Sequence, residues 1–144
     1  MRARQKLFGV LLAFVALRSA NSAVTREQME KMAKSMRNNC VSKVDTTEEL
    51  ALGIRRGEFP DDHNLECYTN CIMKMLRSFK NGAIDFNIIM KQIDATMPPD
   101  QAPRVKAAIR QCKGREYDAD DECKLTYQYT KCVYEMDPET FFFP

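Results

Sequence analysis

Apolar residues recur at steps of three and four along most of this chain, and the steps fall into six blocks. Met29, Met32, Ala33 and Met36 follow a Thr25/Gln28 capping-box signal and predict a helix from about Thr25 to Asn38. Thr46 or Thr47 with Glu49 opens a short second helix through Leu50 and Ile54, which Gly57 and Pro60 stop. Asp61 and Asp62 cap a third, about Asn64 to Lys80, whose stripe runs Leu65, Tyr68, Cys71, Ile72, Met75, Leu76 and Phe79. Asn81-Gly82 is read as its end.

Asp85 caps a fourth helix with Phe86, Ile89, Met90 and Ile93 inward, and Met97-Pro98-Pro99 blocks its continuation. Val105, Ala108, Ile109 and Cys112 mark a fifth. After a polar loop from Lys113 to Asp121, Cys123 to Glu135 reads as a sixth. No convincing strand pattern appears, so the expected fold class is all-α. The chain closes on Phe141-Phe142-Phe143-Pro144, an apolar tail that wants a surface to pack on.

The first 23 residues stand apart. Arg2, Arg4 and Lys6 precede an apolar run from Leu7 to Leu17, followed by the small residues Ala20, Ser22 and Ala23. This is the pattern of a secretory signal, with cleavage after Ser22 or Ala23, and the run is too short for a membrane anchor. Residues 1–23 are therefore read as a signal peptide and 24–144 as one domain of a secreted, extracellular protein with no stable membrane insertion. Losing Arg2, Arg4, Lys6 and Arg18 takes 22 basic residues to 18 against 20 acidic ones, turning the net charge from +2 to about −2. That balance argues against a nucleic-acid partner. Arg55-Arg56 reads as a solvated helix end.

All six cysteines, Cys40, Cys67, Cys71, Cys112, Cys123 and Cys132, fall after the signal, in an oxidising compartment where three disulfides are the default. A zinc site would want matched Cys pairs or histidines, and the chain has one histidine, His63, so no metal and no cofactor is expected. Cys67 and Cys71, four apart on one helix face, are badly set to bond each other. Cys123 and Cys132, nine apart, lie on opposite sides of the sixth helix. Fifteen pairings remain open at this point. No Gly-x-Ser-x-Gly, no paired His/Cys arrangement and no glycine-rich calcium loop beside a His-Asp pair is present, so catalysis is not expected.

The spacing C-x26-C-x3-C-x40-C-x10-C-x8-C, with the Cys67-Tyr68-Thr69-Asn70-Cys71 motif, the Ala95-Thr96-Met97-Pro98 segment and the aromatic tail, resembles the six-cysteine odorant-binding proteins of insects (PBP/GOBP) over the whole mature chain. Among them it is most similar to the alcohol- and pheromone-sensing members of flies and mosquitoes. The resemblance implies six helices around a hydrophobic cavity and the bridges Cys40–Cys71, Cys67–Cys123 and Cys112–Cys132. It also implies a ligand held among Met29, Met32, Met73, Leu76, Ser78, Met90, Ile109 and Tyr127, with Phe142, Phe143 and Pro144 as a lid whose carboxylate accepts a hydrogen bond from Tyr68.

Taken singly, the methionines read rather as core filler, and only the resemblance makes them wall candidates; Tyr68 reads equally well as a core aromatic. In the alcohol-sensing relatives two hydroxyls on the third helix hold the ligand; through Cys71 these positions are Met73 and Ser78. One hydroxyl is thus replaced, which favours compact aromatics such as phenols or indole over short alcohols. The implied partners are a small hydrophobic odorant, a second copy or related carrier in a homodimer or heterodimer, and an olfactory receptor. Release of the tail on mild acidification is a further expectation. The rival readings are a saposin-like lipid-binding module, which would want its cysteines in close terminal pairs, and a scavenger of small molecules in saliva or haemolymph.

Overall fold

Thr25 opens the first helix as expected: its hydroxyl accepts from the Gln28 backbone N–H while the Gln28 side chain accepts from the Thr25 N–H. The chain, seen here in a computed structural model, is described over residues 24–118 and 120–144; the expected signal segment lies outside the described residues. Helix α1 spans Arg26–Val44, six residues past Asn38, because Cys40, Val41 and Val44 carry the inward stripe onward. It stops where Asp45 turns left-handed at φ 56°. Thr47 caps α2, Glu48–Arg55. Gly57 follows at φ +79°, pressed against the Tyr134 ring so closely that a Cβ there would overlap a ring carbon.

The third helix, α3, covers His63–Met75 behind an Asp62 cap and ends sooner than its apolar stripe suggests. Arg77 at φ 58° reverses the backbone, and the Ser78 N–H returns to the Met73 carbonyl at 2.9 Å. Phe79 and Leu76 are therefore loop and strand residues that extend the buried face without extending the helix. Two short strands follow, β1 Phe79–Lys80 and β2 Ala83–Ile84, paired antiparallel with Lys80 opposite Ala83. Asn81-Gly82, at φ 53° and 74°, forms the two-residue turn between them. The expectation of no strands thus needs correcting: this dipeptide closes a hairpin rather than a helix.

Three helices complete the chain: α4 Phe86–Thr96 capped by Asp85, α5 Ala102–Lys113, and α6 Glu122–Met136 capped by Asp121. The deepest contact joins α3 to α6, where Leu65, Tyr68, Ile72 and Thr126 are fully buried. A buried polar link crosses it, between the hydroxyls of Thr69 and Thr126 at 3.0 Å, and at its edge Asn70 and Lys74 donate to the backbone carbonyl and the carboxylate of Glu122. A first apolar cluster gathers α1, α2, α3 and the tail around Cys40, Ile54, Tyr68 and Phe143; a second gathers Met73, Phe79, Cys112 and Tyr129; a third joins α4 to α5 through Ile93, Val105 and Ile109.

Disulfides tie these clusters together. Cys40–Cys71 links α1 to α3, Cys67–Cys123 links α3 to α6, and Cys112–Cys132 links α5 to α6. With 31, 56 and 20 residues between partners, a chain-entropy treatment makes each worth about 3 to 4 kcal/mol. That support matters because the space between the helices is not filled.

Candidate functional site: an apolar cavity closed by the tail

A cavity of about 400 Å³ lies between α1, α4, α5, α6 and the C-terminal segment, within the 300–1,000 Å³ range of small-molecule sites. Met29, Met32, Ala33 and Met36 line it from α1, one residue per turn or near it, which is the stripe that made this helix legible. Met73 enters from α3. Ile89, Ile93 and Thr96 face it from α4, Val105, Ala108 and Ile109 from α5, and Tyr129, Thr130 and Val133 from α6. Met97 and Leu76 fill the corners. Met32 is half exposed and stands where the wall meets solvent.

The tail supplies the last wall. Phe141, Phe142, Phe143 and Pro144 all line the cavity, and Phe143 is buried. Three contacts hold them down. The Tyr68 hydroxyl donates to the main-chain oxygen of Pro144 at 2.6 Å; burial pushes that phenol well above its ordinary pKa, so it stays a donor at any physiological pH. Arg55 Nε donates to the Phe143 carbonyl at 2.6 Å, and its guanidinium lies 4.5 Å over the Phe142 ring. Glu30 of α1 grips the same guanidinium at 2.9 Å. Arg55 is therefore no solvated helix end: it joins α1, α2 and the tail at one point.

At the root of the tail, Asp137 accepts from Arg104 of α5 and from the Thr140 hydroxyl at 2.7 Å, and Arg104 also reaches Glu139 at 2.7 Å. Burial would raise the Asp137 carboxyl, but the hydrogen bonds from Thr140 and Arg104 outweigh it and hold the group below the usual carboxylate range. Among the described side chains that line the cavity, that of Asp137 is the charged one, and it is neutralised in place.

Of the side chains singled out from the sequence, Met29, Met32, Met73, Leu76, Ser78, Ile109, Phe142 and Phe143 meet at this cavity. Ser78 does so from the turn after α3, and its hydroxyl donates to the Met73 carbonyl at 3.1 Å. Three residues stand elsewhere. Tyr68 holds the tail from behind. Met90 packs into the α4–α5 contact with Ile93 and Ala102. Tyr127 lies two residues, about 200° of helix, from Tyr129; it packs edge-on against Phe59 at 5.4 Å and donates to the Pro60 carbonyl at 2.8 Å. The cavity face of α6 is instead Tyr129, Thr130 and Val133, with Val133 four and three residues from the other two as a shared face requires.

Away from the cavity, His63, Glu66 and Asp121 bring nitrogen and oxygen ligand atoms within 4.8 Å of one another, with His63 exposed and 3.1 Å from Glu66. The nearby sulfurs of Cys67 and Cys123 are committed to their bridge. No helix among the described residues is long and apolar enough to cross a membrane.

Comparison with known proteins agrees on the architecture. The model of the PBP/GOBP family matches residues 22–136, up to the end of α6. General odorant-binding protein 72 of Anopheles gambiae is 30% identical over 122 residues, 85% of this chain and 100% of that protein. General odorant-binding protein 19a of Drosophila melanogaster is 32% identical over 112 residues, 74% of this chain and 77% of that protein. Among solved structures, Apis mellifera odorant binding protein 5 superposes with a TM-score of 0.81 at 52% identity, covering 85% of this chain and 99% of that one. Odorant binding protein 4 of Chrysopa pallens gives 0.75 at 32% identity, covering 83% and 98%.

Proposed function

The chain belongs to the PBP/GOBP family of odorant-binding carriers, and from that premise we propose that it is secreted and carries compact aromatic volatiles, such as phenols or indole, to olfactory receptors. Members of this family carry small hydrophobic odorants and are not enzymes. The observation that carries the ligand class is the lining: about 400 Å³ walled by Met29, Met32, Met36, Met73, Met97 and the tail phenylalanines, with no uncompensated charge. Methionine adapts its shape and makes favourable sulfur–aromatic contacts, so such a wall accepts several flat apolar ligands rather than one. Discrimination between them through apolar contacts alone is modest, roughly 1 to 3 kcal/mol per methylene.

The pair of third-helix hydroxyls that holds the ligand in the alcohol-sensing relatives is not reproduced here. Ser78 already donates inward, and Met73 offers no hydrogen bond. Short alcohols would then give up water for apolar contacts too small to repay the loss.

Displacement of a naphthylamine fluorophore tests this reading. Phenols and indole should displace it from the full secreted chain at far lower concentration than ethanol or propanol. A chain ending at Pro138, which lacks Phe141–Pro144, should bind the fluorophore more weakly and release it faster. Equal displacement by aromatics and short alcohols would refute the ligand class, and no binding at all would refute the carrier role.

A further inference from the structure

Hydroxyls in the cavity wall are almost all engaged inside the protein. Ser78 donates to the Met73 carbonyl at 3.1 Å, Thr96 to the Gln92 carbonyl at 2.7 Å, Thr130 to the Thr126 carbonyl at 2.7 Å, and Thr140 to Asp137 at 2.7 Å. Tyr129 breaks this pattern. It lines the cavity and is 5% exposed, and its hydroxyl has no hydrogen-bond partner. Its neighbour Tyr117 shows the contrast, since that phenol donates to the Cys112 carbonyl at 2.7 Å.

A buried tyrosine hydroxyl normally finds a partner, and an orphan in a native protein calls for an explanation such as an ordered water or a ligand atom. Swinging the ring to a backbone acceptor is obstructed, because Phe86 and Tyr117 clamp it edge-on with centroids 5.7 and 6.1 Å away. Met73 packs in the same cluster and is deformable enough to let a ligand atom reach the hydroxyl from the cavity side. Burial also pushes the phenol above its ordinary pKa, so it keeps its proton.

We propose that Tyr129 is the residue that orients the ligand, its hydroxyl donating to the single oxygen of an otherwise apolar molecule: an aryl ketone, an ester, an ether or a phenol. The inference rests on the carrier reading above and narrows it. The ligand's oxygen becomes the recognised feature, and its hydrocarbon body contributes affinity without much selectivity. Tyr129, unlike the engaged serine and threonines, still has a hydroxyl hydrogen without an acceptor, so the site should prefer hydrogen-bond acceptors over hydrocarbons of the same shape.

The test uses the full disulfide-bonded chain, wild type and Tyr129→Phe, with two probes of nearly equal shape, acetophenone and α-methylstyrene. Calorimetry should show acetophenone binding about tenfold weaker to the variant, while α-methylstyrene binding stays within about twofold. Retained α-methylstyrene binding also shows that the variant is folded. In the wild type, the ¹³Cζ resonance of Tyr129 should move with acetophenone and not with α-methylstyrene. Unchanged acetophenone affinity, or equal loss for both probes, would overturn the assignment and leave the carrier reading standing. Failure of the wild type to bind either probe would overturn both.

Discussion

Arg55→Ala should unlatch the tail. In the native structure this guanidinium makes a charge-assisted bond to the Phe143 carbonyl at 2.6 Å, stacks 4.5 Å over Phe142, and pairs with Glu30. A hydrogen bond from a charged donor is worth about 1.5 to 3 kcal/mol, and a partly exposed cation–π contact about 0.5 to 1 kcal/mol. The Glu30 pair adds less than about 1 kcal/mol, since the two side chains are 21% and 43% exposed, and it acts between α1 and α2 rather than on the tail. The share that holds the lid is therefore about 2 to 4 kcal/mol, a change of roughly 30- to 900-fold in the ratio of open to closed tail. Stopped-flow release of the bound fluorophore should accelerate by that factor if ligand leaves past the tail. Glu30→Gln, which spares the bond to Phe143, should change release by less than about fivefold. Wild-type release from Arg55→Ala, alongside a loss of thermal stability, would show that the arginine only braces helices and would refute the latch.

Other substitutions probe separate parts of the framework. Gly57→Ala drives a Cβ into the Tyr134 ring at φ +79°, and should cost at least about 2 kcal/mol in urea denaturation. Tyr127→Phe removes the bond to Pro60 at 2.8 Å outside the cavity; it should lower stability by about 1 kcal/mol and leave ligand affinity unchanged. Asp137 titrates below its unfolded value near 3.9, so its clasp contributes fully at neutral and mildly acidic pH and is lost only as pH falls through the lower folded value. Stability of wild type measured from pH 7 to 2 should fall toward that of Asp137→Asn below about pH 4; convergence already at pH 6 would contradict the depressed carboxyl.

Helices were readable from the chain because their determinants are local. Thr25 with Gln28, Thr47, Asp62, Asp85 and Asp121 each cap within one turn, and the apolar steps name the buried faces. What escaped is non-local or hidden inside a pattern. The stripe runs on through half-buried Leu76 and buried Phe79 after the helix ends, since Arg77 adopts a left-handed conformation that its side chain does not advertise. Arg55 meets Phe143 across 88 residues, a bond no spacing rule reaches. On α6, four aromatic or hydroxylic residues within five positions, Thr126, Tyr127, Tyr129 and Thr130, leave the rotational setting undecided until the Cys123 and Cys132 partners are known; the bridges then turn Tyr129 toward the cavity and Tyr127 away.

The placement of the three bridges is uneven. They join α1, α3, α5 and α6, whereas α4, which gives Ile89, Gln92, Ile93 and Thr96 to the cavity, has no covalent tie and a single buried side chain, Ile93. A vessel with rigid staves and one loose stave fits cargoes of different girth by moving that stave alone. Amide hydrogen exchange should accordingly be fastest among the wall helices in α4, and a ligand should slow it there most.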